Sequence, residues 1–77
     1  MNTQSTSNTL EALRAALAQN LKRLRSDRGL SQERLALESN VDRTYVSKIE
    51  RGIGNPSLEV LVRLASRLEV KVFDLFQ

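Results

Sequence analysis

The chain contains no cysteine and no histidine. Without cysteine there is no disulfide framework, no thiolate metal site and no cysteine nucleophile. Without histidine, the commonest general base and the commonest transition-metal ligand are both missing. Acid–base chemistry would fall to carboxylates or lysine, and no paired arrangement of them stands out. Neither an enzyme, a metal site nor a cofactor is therefore expected. Aromatic residues are scarce, with one Tyr, two Phe and no Trp. The apolar runs are far shorter than a bilayer crossing needs, and the Ser/Thr-rich start has no signal-peptide pattern. A cytoplasmic location without a membrane partner is the expectation. At 77 residues the chain makes one small domain. A domain of this size buries only about 60% of its unfolded surface, so a dimer interface would add burial.

Net charge is +3 and the pI is about 10.0. The excess is localised. Residues 22–51 hold eight Lys+Arg against five Asp+Glu, while the remainder holds four of each. A basic small domain suits a polyanionic partner, although +3 is a weak signal taken alone.

The same region carries the most informative stretch, LSQERLALESNVDRTYVSKIERG, residues 30–52. Ser31 is a good N-cap, with Leu35 and Ala36 following on one face. Asn40-Val41-Asp42 interrupts the pattern. Asn is the non-glycine residue that best tolerates the left-handed conformation of a sharp turn. Asp42 caps a second helix running to Arg51, and Gly52 stops it. Two short helices joined this way outline a helix-turn-helix, whose second helix enters the DNA major groove. At about 100° per residue, Arg43, Thr44, Ser47, Lys48 and Arg51 share one side, and Val46, Ile49 and the Tyr45 ring share the other. The polar side has three cations, two hydroxyls and no acid. Arg and Lys reach guanine or phosphate, and Ser and Thr bond base edges, but many solvated helix faces are also polar.

At these residues the chain resembles the lambda-repressor-like, Cro-type helix-turn-helix family, also called XRE-type regulators. The motif is LSQERLA, a turn, RTYVSKIERG, then NPSLEVLVRLASRLEV, and it covers roughly residues 17–77. SNVDRTYVSKIER is further similar to the controller proteins of restriction–modification systems. The resemblance implies an all-α, compact five-helix domain that binds DNA by its third helix, and homodimers on palindromic operators. Carried onto this sequence, it implies base contacts from Arg43, Thr44, Ser47 and Lys48. Backbone contacts are expected from Gln32, Tyr45 and Arg51, which lie at a helix start, a helix edge and a helix end, where phosphates flank the groove. Gln32 opens a helix, where free N–H groups and the dipole favour a phosphate. The resemblance further implies an ion pair between Arg25 and Glu50, the alternative being an Arg25 solvated near phosphates. Three residues depart from the pattern. Asn40 and Glu69 stand where Gly is common, and Leu37 where a polar residue is usual.

Outside the motif, residues 1–7 are polar and patternless and read as a disordered arm, leaving 8–77 as the DNA-binding domain. Asn8 and Glu11 have capping-box spacing. Leu10, Leu13, Leu17, Leu21 and Leu24 then recur at helical spacing as far as about Arg28, and Gly29 ends the helix. Leu10 and Leu13 are expected in the core, with cover for a partner as the other option. Pro56-Ser57 opens a fourth helix, capped by Ser57 or Asn55. Its stripe is Leu58, Leu61, Leu64, Ala65 and Leu68, widened by Val60 and Val62. The tail holds Val70, Val72, Phe73 and Phe76, an apolar density that suggests a dimer interface on a short fifth helix. The competing reading has Phe73 and Phe76 closing the core.

The expectation is a sequence-specific transcriptional regulator whose partners are double-stranded DNA, a second copy, and either RNA polymerase or a regulatory protein. The alternative is a protein-interaction module, such as an antitoxin or a coactivator-like partner.

Overall fold

The computed structural model describes residues 3–77, with side chains for Thr6 and from Asn8 onward. Four α-helices follow in order: α1 (Thr3–Asp27), α2 (Gln32–Ser39), α3 (Arg43–Glu50) and α4 (Leu58–Leu68). A 3-10 turn, Val72–Leu75, follows α4. There is no strand among the described residues. The fold is the all-helical one expected, with one correction: the fifth element is a single 3-10 turn rather than an α-helix. Four residues between Lys71 and Phe76 leave no room for the repeated i→i+4 bonds of an α-helix.

Local chemistry accounts for the helix ends. Ser31 caps α2 by accepting from the Arg34 N–H at 2.9 Å, Asp42 caps α3 through the Thr44 N–H at 2.7 Å, and Ser57 rather than Asn55 caps α4. Gly29 ends α1 at φ +68°. Asn40 and Glu69 both adopt left-handed backbone, at φ 56° and 58°. Asn tolerates that conformation, whereas Glu pays about 1–2 kcal/mol for it.

The start of α1 differs from expectation. Of the arm expected over residues 1–7, residues 1 and 2 lie outside the described residues, and the helix already runs from Thr3. Asn8 and Glu11 are therefore internal to α1 and cap nothing.

The core is where α1, α2, α3 and α4 converge on Leu21, Leu35, Val46, Ile49, Leu64 and Leu68, all at or below 1% exposure. Leu17, Leu24, Leu61 and Leu75 extend it. Asn20, buried on α1, fastens the C-terminal turn. Its Nδ2 donates to the main-chain oxygens of Leu75 and Gln77, and its Oδ1 accepts from Arg23. Three leucines of the expected core stripes stand outside it. Leu10 is 41% exposed, Leu13 46% and Leu58 77%. Leu58 is the first residue of α4, and Leu10 and Leu13 lie on the part of α1 that projects beyond the packed helices. They rim a shallow apolar cleft with Leu17, Pro56, Leu61 and Phe76.

Candidate nucleic-acid interface

The site is built on α3. Val46 and Ile49 are fully buried and turn the opposite side of the helix outward. Arg43, Thr44, Lys48 and Arg51 are exposed there, with Ser47 half-buried between them. Arg43, Thr44 and Ser47 line one shallow concavity, and Thr44, Tyr45 and Lys48 line a second beside it. The four side chains expected at base edges thus share one surface. The Arg51 Nε leans back on the Ser47 carbonyl at 3.4 Å, at the C-terminal end of the same face. Tyr45 packs its ring against the core and points its hydroxyl toward the Asn55 carbonyl, 3.4 Å away.

A buried ion pair sets the position of α3 against α1. Arg25 grips Glu50 through two parallel bonds, Nε–Oε2 at 2.6 Å and Nη2–Oε1 at 2.9 Å. The Glu50 side chain is 3% exposed and that of Arg25 13%. Arg25 also donates from Nη1 to the Leu30 carbonyl at 2.7 Å, so its guanidinium is committed to the fold and not left for phosphates. The hydrogen bond to Glu50, outweighing burial and helped by the opposite charge, raises the Arg25 pKa above its ordinary value.

Gln32 joins this network, which the sequence did not reveal. Its Nε2 donates to Glu50 Oε1 at 3.0 Å. The amide at the start of α2 is thereby held in one orientation, next to the end of α3. No local pattern signals this bond, because it joins residues 18 positions apart across two helices.

The loop after α3 is held as firmly. A Cβ on Gly54 would lie 2.9 Å from Ile49 Cγ1 and from the Ile49 main-chain nitrogen, so only glycine lets the loop press this close. The Gly54 carbonyl accepts from Arg14 Nε at 3.1 Å. On the far side, Arg63 of α4 donates to the Asn40 carbonyl in the turn of the motif. Arg67 and Arg34 both pair with Glu38. The helix-turn-helix is thus braced from α1 and from α4.

Of the tail residues expected at a dimer interface, Val70, Val72 and Phe76 are half-buried against the core, and Phe73 is 77% exposed. Leu58 and Val62 of α4, at 77% and 55%, are also open, as is Leu37 on the outer face of α2 at 70%. No cluster of acidic residues that could hold a metal ion occurs among the described residues. No helix among them is long and apolar enough to cross a membrane.

A capped pair of short helices, the second with a buried apolar back and an exposed cationic front, is a helix-turn-helix, and residues 21–75 match the family HTH_3, Helix-turn-helix. The chain belongs to the HTH_3 helix-turn-helix family, of XRE type. It is 43% identical over 63 residues to a hypothetical transcription factor of Neisseria meningitidis, a match that takes in 82% of this chain and 59% of that protein. The chain thus spans less than two thirds of that relative. Among solved structures it is similar to the restriction–modification controller protein C.AhdI from Aeromonas hydrophila. The TM-score is 0.78 at 43% identity, over 82% of this chain and 96% of that one. It is also similar to the biofilm master regulator SinR of Bacillus subtilis, solved in complex with DNA. There the TM-score is 0.76 at 34% identity, over 79% of this chain and 98% of the other. The HTH_3 match begins at Leu21, so the projecting half of α1 lies outside the family's common part.

Proposed function

We propose that this protein is a sequence-specific DNA-binding transcriptional regulator that works by occupying an operator as a homodimer. The observation that carries the reading is the exposed face of α3. Arg43, Thr44, Ser47 and Lys48 stand together on a helix whose back is buried and whose position is locked by Arg25 and Glu50. The solved DNA complex of SinR, which shares the fold, supports it. In this reading α3 lies in the major groove with Arg43 as the main base contact. Gln32, Tyr45 and Arg51 flank the groove and meet phosphates. Gln32 does so through its remaining amide N–H and the start of α2.

The dimer would join through the C-terminal turn and the adjoining edge of α4, where Phe73, Leu58 and Val62 are exposed. Twofold symmetry then sets two copies of α3 about 34 Å apart, one turn of duplex, and calls for a palindromic operator. Covering a promoter represses, and standing beside one recruits polymerase. The similarity to C.AhdI favours a controller of restriction–modification genes. A protein-interaction module such as an antitoxin would use the same exposed apolar residues, and its DNA affinity would lack sequence preference.

Selection of bound sequences from a random DNA pool tests the reading, followed by titration over salt. The expected result is a palindromic consensus with steeply salt-dependent affinity. Arg43→Ala should cost about 1–3 kcal/mol on the selected site and relax preference at one base pair per half-site. Equal weakening on all sequences would make Arg43 a phosphate contact, and a pool that yields no consensus would overturn the proposal.

A further inference from the structure

The way α3 ends determines where Ile53 sits. The Gly52 N–H donates to the Ile49 carbonyl at 3.0 Å and the Ile53 N–H to the Lys48 carbonyl at 3.1 Å, with Gly52 left-handed at φ +78°. This pair of bonds is the Schellman ending. In it, the residue after the left-handed glycine lies against the helix residue whose carbonyl it takes. Here those two residues are Ile53 and Lys48, and both line the concavity that also holds Thr44 and Tyr45.

A hydrophobic contact at that position frequently accompanies such an ending. Ile53 remains 59% exposed. An isolated exposed isoleucine needs no explanation by itself. This one prolongs the row Thr44–Lys48 along the outward face of α3, and the loop carrying it is pinned at both flanks. Gly54 is pressed against Ile49 and bonded by Arg14, and Asn55 is approached by Tyr45. The side chain is also β-branched and so stiff about χ1. The site is therefore a rigid apolar group beside a cation, on the surface assigned to base edges.

We propose that Ile53 reads the C5-methyl group of a thymine next to the base pair contacted by Lys48. The inference rests on the DNA-binding reading above. Thymine is the base that presents an apolar group in the major groove, and apolar side chains recognise it by contact. A deoxyribose is the other apolar surface of DNA. The deoxyuridine substitution below separates the two, because a sugar contact does not respond to the methyl group. Lys48, which lines the same concavity, carries an ammonium that suits the carbonyl and N7 acceptors of a neighbouring guanine.

The experiment uses the operator selected by the wild-type protein, with each thymine replaced in turn by deoxyuridine, which lacks only the methyl group. Wild type should lose roughly threefold to tenfold in affinity at one position per half-site. Ile53→Ala should bind the unmodified operator more weakly by a similar factor and lose nothing further at that position. Its thermal unfolding should match wild type, since the side chain lies outside the core. Sequence selection with Ile53→Ala should then show relaxed preference for thymine there. The inference fails if Ile53→Ala binds like wild type. It also fails if the variant weakens specific and nonspecific DNA alike while keeping the wild-type response to deoxyuridine, which would mark a sugar contact. A wild type that shows a consensus but no deoxyuridine effect overturns this inference alone, whereas a wild type without any consensus overturns the DNA-binding reading beneath it.

Discussion

Two polar side chains inside this small core have opposite consequences. Glu50 is satisfied three times over, by two Arg25 bonds and by Gln32. Ser39, on the inner face of α2, buries its hydroxyl without a hydrogen-bond partner. Breaking a buried pair leaves a charge that water no longer solvates, so Arg25→Ala should destabilise by about 3–5 kcal/mol. Arg51→Ala, at an exposed position, should change stability by less than about 0.5 kcal/mol. Urea titration of the two variants separates them, and equal losses would mean that the Arg25 pair is no more than a surface contact. Ser39→Ala removes an unsatisfied hydroxyl and should raise stability by about 1 kcal/mol in the same measurement. A drop instead would show that the hydroxyl has a partner in solution.

Among the elements, α2, α3 and α4 are bounded by chemistry that acts within a few residues. Three side-chain caps open them, and left-handed residues follow each one. The left-handed positions are not equivalent. Gly52 adopts its conformation without strain, Asn40 at little cost, and Glu69 at about 1–2 kcal/mol. Glu69→Gly should therefore stabilise the fold by a net of about 0.5–1 kcal/mol after glycine's greater freedom in the unfolded chain is counted, seen as a higher midpoint of thermal unfolding. Asn40→Gly should gain less than half as much. If Asn40→Gly gained more than Glu69→Gly, the strain would lie in the motif's own turn. The caps were legible in the sequence because each depends on a residue type at a fixed offset. The exposure of Leu10, Leu13 and Leu58 was not. Helical spacing places these leucines on the same stripe as Leu17 and Leu61, yet says nothing about where the neighbouring helix stops. Opposite Leu10 and Leu13 there is only the edge of a cleft.

For the whole molecule, the proposed dimer would cover Phe73, Leu58 and Val62, all of them exposed in the single chain. Burying one Phe side chain contributes roughly 1.5–3 kcal/mol, and a twofold interface counts it twice. If the protein pairs as proposed, Phe73→Glu should give a monomer with intact helices, which sedimentation at micromolar concentration and circular dichroism would record together. Operator affinity should fall much more than half-site affinity. A variant that remains dimeric would move the interface to another apolar surface, and the cleft beside Leu10 and Leu13 would be the first to examine. The tail residues divide according to their neighbours. Val70, Val72 and Phe76 lean on the core while Phe73 faces outward, so of the two aromatics expected to close the core only Phe76 does so, and Phe73 is left for the proposed interface.

The sequence by itself determined the caps and turns, the helical class and the polar face of α3. Those features depend on backbone preferences and on 3.6-residue periodicity, which act over a few positions. The resemblance supplied the Arg25–Glu50 pair, which the structure contains. Tertiary structure decided the rest. It engaged Gln32 with Glu50 and Asn20 with the C-terminal turn, shortened the fifth helix to one 3-10 turn, and set Ile53 beside Lys48 on a loop that only Gly54 allows to lie so close. Each of these depends on atoms far apart in the chain meeting at hydrogen-bonding or van der Waals distance, and no local pattern in the sequence encodes that meeting.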